Sequence, residues 1–157
     1  MSTIIAGSST TFMVHGDPAA QGSKRIVRLR SGKSVMIEQS TKVRPWRAAV
    51  AEAAQEARCG VREGDVSIRA VVFFVRPASH FNAKGVLKPS SPIRPGYIDV
   101  DKAARAILDA LAGIAYHNDR QVSVLSVERM WAPDGMGSGA VIQVTDAPLP
   151  EFRQLRA

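Results

Sequence analysis

Ile98-Asp99-Val100-Asp101-Lys102-Ala103-Ala104-Arg105-Ala106-Ile107-Leu108-Asp109-Ala110-Leu111 is the stretch on which the rest of the chain turns, and Tyr116-His117-Asn118-Asp119-Arg120-Gln121-Val122 closes it. Ala104, Ile107, Leu108, Leu111 and Ala115 recur at helical spacing and predict a helix over about Asp101–Ala115, weakened in its last turn by Gly113. A D-x-D pair stands at the mouth of this helix, and a third acid, Asp119, returns just after it. Residues two apart in an extended segment point to the same side, so Asp99 and Asp101 can aim both carboxylates at one point. Two such carboxylates repel unless a cation lies between them, and oxygen ligands of this kind suit Mg²⁺ or Mn²⁺. A plainer reading stands beside this one, in which Asp99 or Asp101 caps the helix and Asp119 serves a turn.

Working outward, Val66-Ser67-Ile68-Arg69-Ala70-Val71-Val72-Phe73-Phe74-Val75 alternates at first and then runs continuously apolar, as a central strand does. Pro77 stops it. The segment 77–97 holds Pro89, Pro92, Pro95, Gly85 and Gly96 without a regular period, which predicts a long, flexible loop. Upstream, Thr11–His15 reads as a strand, and Arg25–Arg30 and Val35–Ile37 as a hairpin around Ser31–Ser34. Ser40 or Thr41 is placed to cap a helix from about Val43 to Arg58, with Trp46 anchored in the core and Gly60 ending the run. Downstream, Gln121–Val127 and Gly139–Thr145 are strands, separated by a Gly, Pro and Asp-rich link that predicts an antiparallel hairpin. Residues 1–10 and 148–157 read as loose tails. The whole is a single α+β domain over 1–157, with two main helices packed on a mixed, mostly antiparallel sheet.

The 157 residues carry 21 Lys and Arg against 14 Asp and Glu, a net charge of +7, which favours a polyanionic partner. The excess is concentrated between His15 and Arg47, where eight basic residues face two acids. Candidate nucleic-acid contacts are Lys24, Arg25, Arg28 and Arg30 in this arm, Lys84, Lys88 and Arg94 in the loop, and Lys102 on the helix. Arg105, four residues beyond Asp101, can pair with a carboxylate or with a phosphate; the simple alternative is an i,i+4 salt bridge worth a few tenths of a kcal/mol. Competing chemistries find little support. His15, His80 and His117 are scattered outside any zinc-hydrolase spacing, no glycine-rich nucleotide-binding loop is present, and Cys59 is the single cysteine. No apolar run reaches 18 residues and no signal-peptide pattern opens the chain, so no membrane association and a cytoplasmic location are expected.

These residues bring a resemblance into view. Asp99-Val100-Asp101-Lys102 leading into Ile107-Leu108-Asp109-Ala110-Leu111, followed by Asn118-Asp119-Arg120-Gln121-Val122, is similar to the D-x-D helix and D-D-x-Q-V turn of the RusA family of Holliday-junction resolvases. Gly16–Arg25 and Trp46-Arg47 also resemble members of that family, so the likeness spans roughly 11–145. It implies a homodimeric, Mg²⁺-dependent endonuclease that makes paired nicks in four-way DNA junctions, in a bacterial or phage-infected cytoplasm. It implies Asp99, Asp101 and Asp119 as metal ligands and puts Arg105 where the family usually has a catalytic lysine. Arginine does not release its proton near neutral pH, so Arg105 is expected to act as a charge clamp. A non-catalytic DNA-binding module and a metal nuclease acting on flaps or other branched DNA are the alternatives.

Overall fold

The computed structural model describes residues 8–22, 24–38 and 41–148. Strands β1 (Ser9–His15), β4 (Val66–Phe74), β5 (Val122–Trp131) and β6 (Gly139–Asp146) form one sheet in the order β1-β6-β4-β5, and β2 (Lys24–Arg28) pairs with β3 (Ser34–Glu38) as a separate antiparallel hairpin. Helices α1 (Val43–Glu56) and α2 (Val100–Leu111) complete an α+β fold with a mixed, mostly antiparallel four-stranded sheet.

The central strand obeys its sequence pattern. Val66, Ile68, Ala70, Val72 and Phe74 are all buried, on alternate positions and hence on one face. They join Ile142 and Val144 of β6, Phe12 and Val14 of β1, Trp46 and Val50 of α1, and Ile107 and Leu111 of α2 in a single core. Each large aliphatic side chain so buried contributes about 1.5–3 kcal/mol relative to exposure. The opposite sheet face, with Arg69 and Gln143, stays open to solvent in whole or part.

Three expectations change. Strands β5 and β6 do not pair with each other, because β4 lies between them, parallel to β5 and antiparallel to β6. The cause is α2: a helix returning the chain along the sheet makes β4-α2-β5 a crossover unit, which delivers β5 parallel to β4. The most apolar strand thereby gains a partner on both edges. Helix α2 stops at Leu111 and not near Ala115, with Gly113 at φ +82° turning the chain out of the helix. Helix α1 starts from Lys42 without a side-chain cap, so Thr41 does not serve as one, and Ser40 lies outside the described residues. The expected tails also fall outside them, apart from Ser8–Thr10 and Pro148, with Ser9 and Thr10 already in β1.

The segment after β4 has its own local order. A 3₁₀ turn at Ala78–His80, a bridge between Phe81 and Leu87, and an Asn82 carboxamide accepting from the main-chain N–H groups of Lys84 and Val86 give it a defined course. Among the described residues no helix is long and apolar enough to cross a membrane.

Candidate active site

At the N-terminus of α2, Asp99 holds the N-cap position but its carboxylate makes no capping bond. Asp99 is extended (φ −70°, ψ 140°), and its carbonyl accepts the Ala103 N–H at 3.0 Å. The carboxylate instead meets Lys102 Nζ at 3.0 Å, an exposed pair of small energetic worth. Asp101 is exposed in the first helical turn, where the helix dipole favours its charge. It borders a shallow hollow shared with Val100, Ala104 and two β5 residues, Leu125 and Val127.

Helical spacing sets Asp101, Arg105 and Asp109 along one face. The N-terminal arm crosses that face. Gln21 N–H donates to the Lys102 carbonyl at 3.1 Å, and the Gln21 amide donates to the Asp109 carboxylate. Gln21 is 8% exposed, and its Oε1 has no partner among the described residues. Next to it Gly22 adopts φ +123°, and a Cβ there would sit 3.2 Å from Arg105 Nη1. The arm and the helix face therefore form two walls, with Arg105 between them. Arg105 makes no ion pair within 4.0 Å among the described residues, so the simple bridge to Asp101 is not formed. Gln21 and Asp109 were not singled out from the sequence as functional residues. The available signal was Asp109 standing two i,i+4 steps from Asp101 on the same face.

The third acid is delivered by a tightly wired turn. Asn118 caps a single 3₁₀ turn, Asp119–Gln121, by accepting the Arg120 N–H at 3.1 Å. Gln121 Oε1 accepts from His117 N–H at 2.7 Å and Asn118 N–H at 3.3 Å, and its Nε2 donates to the carbonyls of Arg62 at 2.7 Å and Gly64 at 2.9 Å. With Asn118 taking the cap, the Asp119 side chain is left exposed and uninvolved in it. Gln121→Ala removes both halves of this anchor, and a loss of about 1 kcal/mol is expected in urea denaturation, since the bonded groups are mostly open to water, which replaces the lost partners.

Tyr116 is fully buried and donates its hydroxyl to the Leu108 carbonyl at 2.6 Å. Burial pushes its ionisation well above the ordinary range, and the charges of Asp119 and Asp109 oppose it further. Asp119 thus belongs with Tyr116 and Asp109 toward the C-terminal end of α2, while Asp99 and Asp101 stand at the other end, Asp101 eight residues or about 12 Å along the axis from Asp109. Among the described residues no three His, Cys, Asp or Glu side chains gather closely enough to hold a metal ion.

Of the candidate nucleic-acid contacts, Arg28, Arg30 and Lys84 are exposed. Lys88 donates to the Ser79 carbonyl at 2.9 Å, Arg94 to the Arg129 carbonyl at 3.2 Å with Glu128 3.7 Å away, and Lys102 faces Asp99. The side chains of Lys24 and Arg25 are not among those described.

Comparison with known proteins follows the same residues. YqaN of Bacillus subtilis (strain 168), described as an uncharacterized protein, is 31% identical over 132 residues, covering 78% of this chain and 88% of its own length. The family model described as Endodeoxyribonuclease RusA matches residues 15–145, from the last residue of β1 nearly to the end of β6 and across the acid pair, Arg105 and the Asn118 turn. The chain belongs to the RusA family of endodeoxyribonucleases.

Proposed function

We propose that the protein is a homodimeric, Mg²⁺-dependent endonuclease that resolves four-way DNA junctions by paired nicks, with Mn²⁺ able to substitute. The observation that carries this reading, within the family assignment, is that no carboxylate of the D-x-D pair or of Asp119 makes a capping bond: Asp99 holds the N-cap position of α2 with its side chain turned to Lys102, and the Asn118 side chain caps the Asp119 turn. The carboxylates are thereby left for a ligand.

The donor set suits a hard cation. Mg²⁺ keeps several waters and is commonly held by one or two carboxylates together with substrate phosphates, so a closed cage of protein ligands is not required. Asp99 and Asp101 would supply the protein oxygens; Asp119, which lies toward the other end of α2, would add a further one only if the Asn118 turn moves toward them when DNA binds. When bound, the cation polarises a phosphodiester oxygen and lowers the pKa of a coordinated water. Arg105, held between α2 and the Gln21–Gly22 arm, acts as a fixed positive charge toward the scissile phosphate. Arg28, Arg30, Lys84 and Lys88, with Lys24 and Arg25, follow the backbone of the arms. The homodimer reading draws support from β5, an edge strand whose Leu125, on the face toward α2, is exposed beside Val100, with Val124 and Met130 exposed on its other face, apolar groups of the kind subunit contacts cover.

A panel of labelled four-way junction, Y-fork, flap and linear duplex, each with Mg²⁺ or Mn²⁺, tests the reading. The expected result is symmetric nicking of the junction and little cutting of duplex. Cutting confined to flaps would replace junction resolution with flap cleavage. Salt-sensitive binding without cutting in either metal would mark a binding module.

A further inference from the structure

Ile93 is 89% exposed, the most exposed large apolar side chain among the described residues. It projects from a backbone that is fixed on both sides. The Pro92 carbonyl accepts from Trp131 Nε1 at 2.9 Å and from Arg76 Nη1 at 3.1 Å, Arg94 donates to the Arg129 carbonyl at 3.2 Å, and Pro95 is fully buried. Behind it, Trp131 packs edge-on against Tyr97 and His80 at 5.8 and 5.2 Å between ring centres, and the Arg76 guanidinium lies 4.8 Å over the Trp131 ring. An isoleucine is thus held out into water by proline neighbours and three side-chain-to-carbonyl bonds.

The charge around it selects the partner. Residues 76–97 contain Arg76, Lys84, Lys88 and Arg94 and no carboxylate. Arg76, Ile93 and Arg94 line one hollow with Met130 and Trp131, and the nearby acid is Glu128, already facing Arg69 and Arg94. An apolar tip between two arginines fits a DNA groove, where apolar wedges enter between base pairs and partly unstack them while cations hold the flanking phosphates. Ile93 is six residues from Asp99, so the chain between them spans at most about 20 Å, roughly six base-pair steps.

We infer that Ile93 is a wedge that enters a base step of the bound DNA within about six base pairs of the scissile phosphate, with Arg76 and Arg94 on the phosphates beside it. This rests on the DNA-cutting reading above and adds to it a point of helix distortion.

The test uses the full chain without divalent metal, on junctions carrying 2-aminopurine at successive positions around the cut site. Binding is measured first by mobility shift. The wild type is expected to raise 2-aminopurine emission at one or two adjacent positions; Ile93→Ser is expected to lose most of that rise, roughly threefold or more, with affinity changed by less than about threefold, and Ile93→Met to restore it. An equal rise with Ile93→Ser, or no rise with bound wild type, overturns the wedge while leaving junction cutting intact. A change in oligomeric state of Ile93→Ser in sedimentation equilibrium overturns it in favour of a subunit contact. Failure of the wild type to bind or cut any DNA overturns both readings.

Discussion

Asp101→Asn is expected to lower nicking of a synthetic four-way junction by at least about 10²–10³-fold, the scale on which removing one electrostatic stabiliser acts, while junction binding stays close to wild type. The substitution keeps shape and removes charge. Asp101 is exposed in the first turn of α2, makes no capping bond, and forms no ion pair within 4.0 Å among the described residues. Its folding role is therefore confined to the helix dipole, worth about 0.3–1 kcal/mol. A large loss of rate with so small a loss of stability separates a functional carboxylate from a capping one. Single-turnover cleavage in Mg²⁺ and a mobility-shift titration in its absence measure the two halves. Cutting at the normal rate would remove Asp101 from the site. Asp99 makes a useful contrast: its carboxylate meets Lys102, so Asp99→Asn also frees a lysine beside the cleft, and its effect on binding is expected to be the larger of the two.

Local pattern made the core of this fold legible. The alternation at the start of Val66–Phe74 and the apolar run that follows mark a central strand, and the observed burial keeps the alternation to the end, with Val71 and Phe73 half-buried on the open face. Of the stripe expected on α2, Ala104, Ile107 and Leu111 are buried within the helix, joined by Ala103, Ala106 and Ala110, and Trp46 of α1 is buried with Val43, Val50 and Ala54, as the 3.6-residue period requires. Strand partners were harder, since a Gly-Pro-Asp link between two strands looks the same whether they pair with each other or with a third strand inserted between them. What decides the matter is that β4 can saturate both edges, which is a property of the whole sheet. The site divides in the same way. Asp99, Asp101, Arg105 and Asp119 stand at intervals that local geometry explains. The Gln21–Asp109 contact joins positions 88 apart in sequence, and nothing in a turn-like Ala-Gln-Gly-Ser announces that its glutamine will be buried against a helix.

Arg62 is the residue whose removal should cost the fold most, and it carries no sequence signal either. Its guanidinium is almost fully buried, with bonds to the Cys59 carbonyl at 3.2 Å, the Ser8 carbonyl and hydroxyl at 3.0 and 3.1 Å, the Thr10 hydroxyl at 3.4 Å and the Val144 carbonyl at 3.3 Å. Nε lies 3.3 Å from the half-exposed Asp146 carboxylate. One side chain thus ties the end of β6 to the start of β1 and to the turn after α1. Its backbone reaches the other way, since the N–H donates to the Ala115 carbonyl at 3.0 Å and the carbonyl accepts Gln121 Nε2. Arg62→Met retains the aliphatic stem and strands several buried carbonyls, so a loss of about 3 kcal/mol is expected, at the lower end for breaking a buried charged network because Asp146 is half in water. For a domain of this size that corresponds to a fall in Tm of roughly 6–12 °C. Asp146→Asn should cost only about 1 kcal/mol or less, because the remaining neutral acceptors stay in place and the carboxylate is partly solvated. Arg62→Met should also reduce nicking more than binding, since the turn that presents Asp119 hangs from the Arg62 carbonyl while the cationic loop and arm do not. Urea titration of both variants, paired with single-turnover rates below the onset of unfolding, measures this split. A shift below about 1 kcal/mol for Arg62→Met would show that water replaces the guanidinium at these carbonyls.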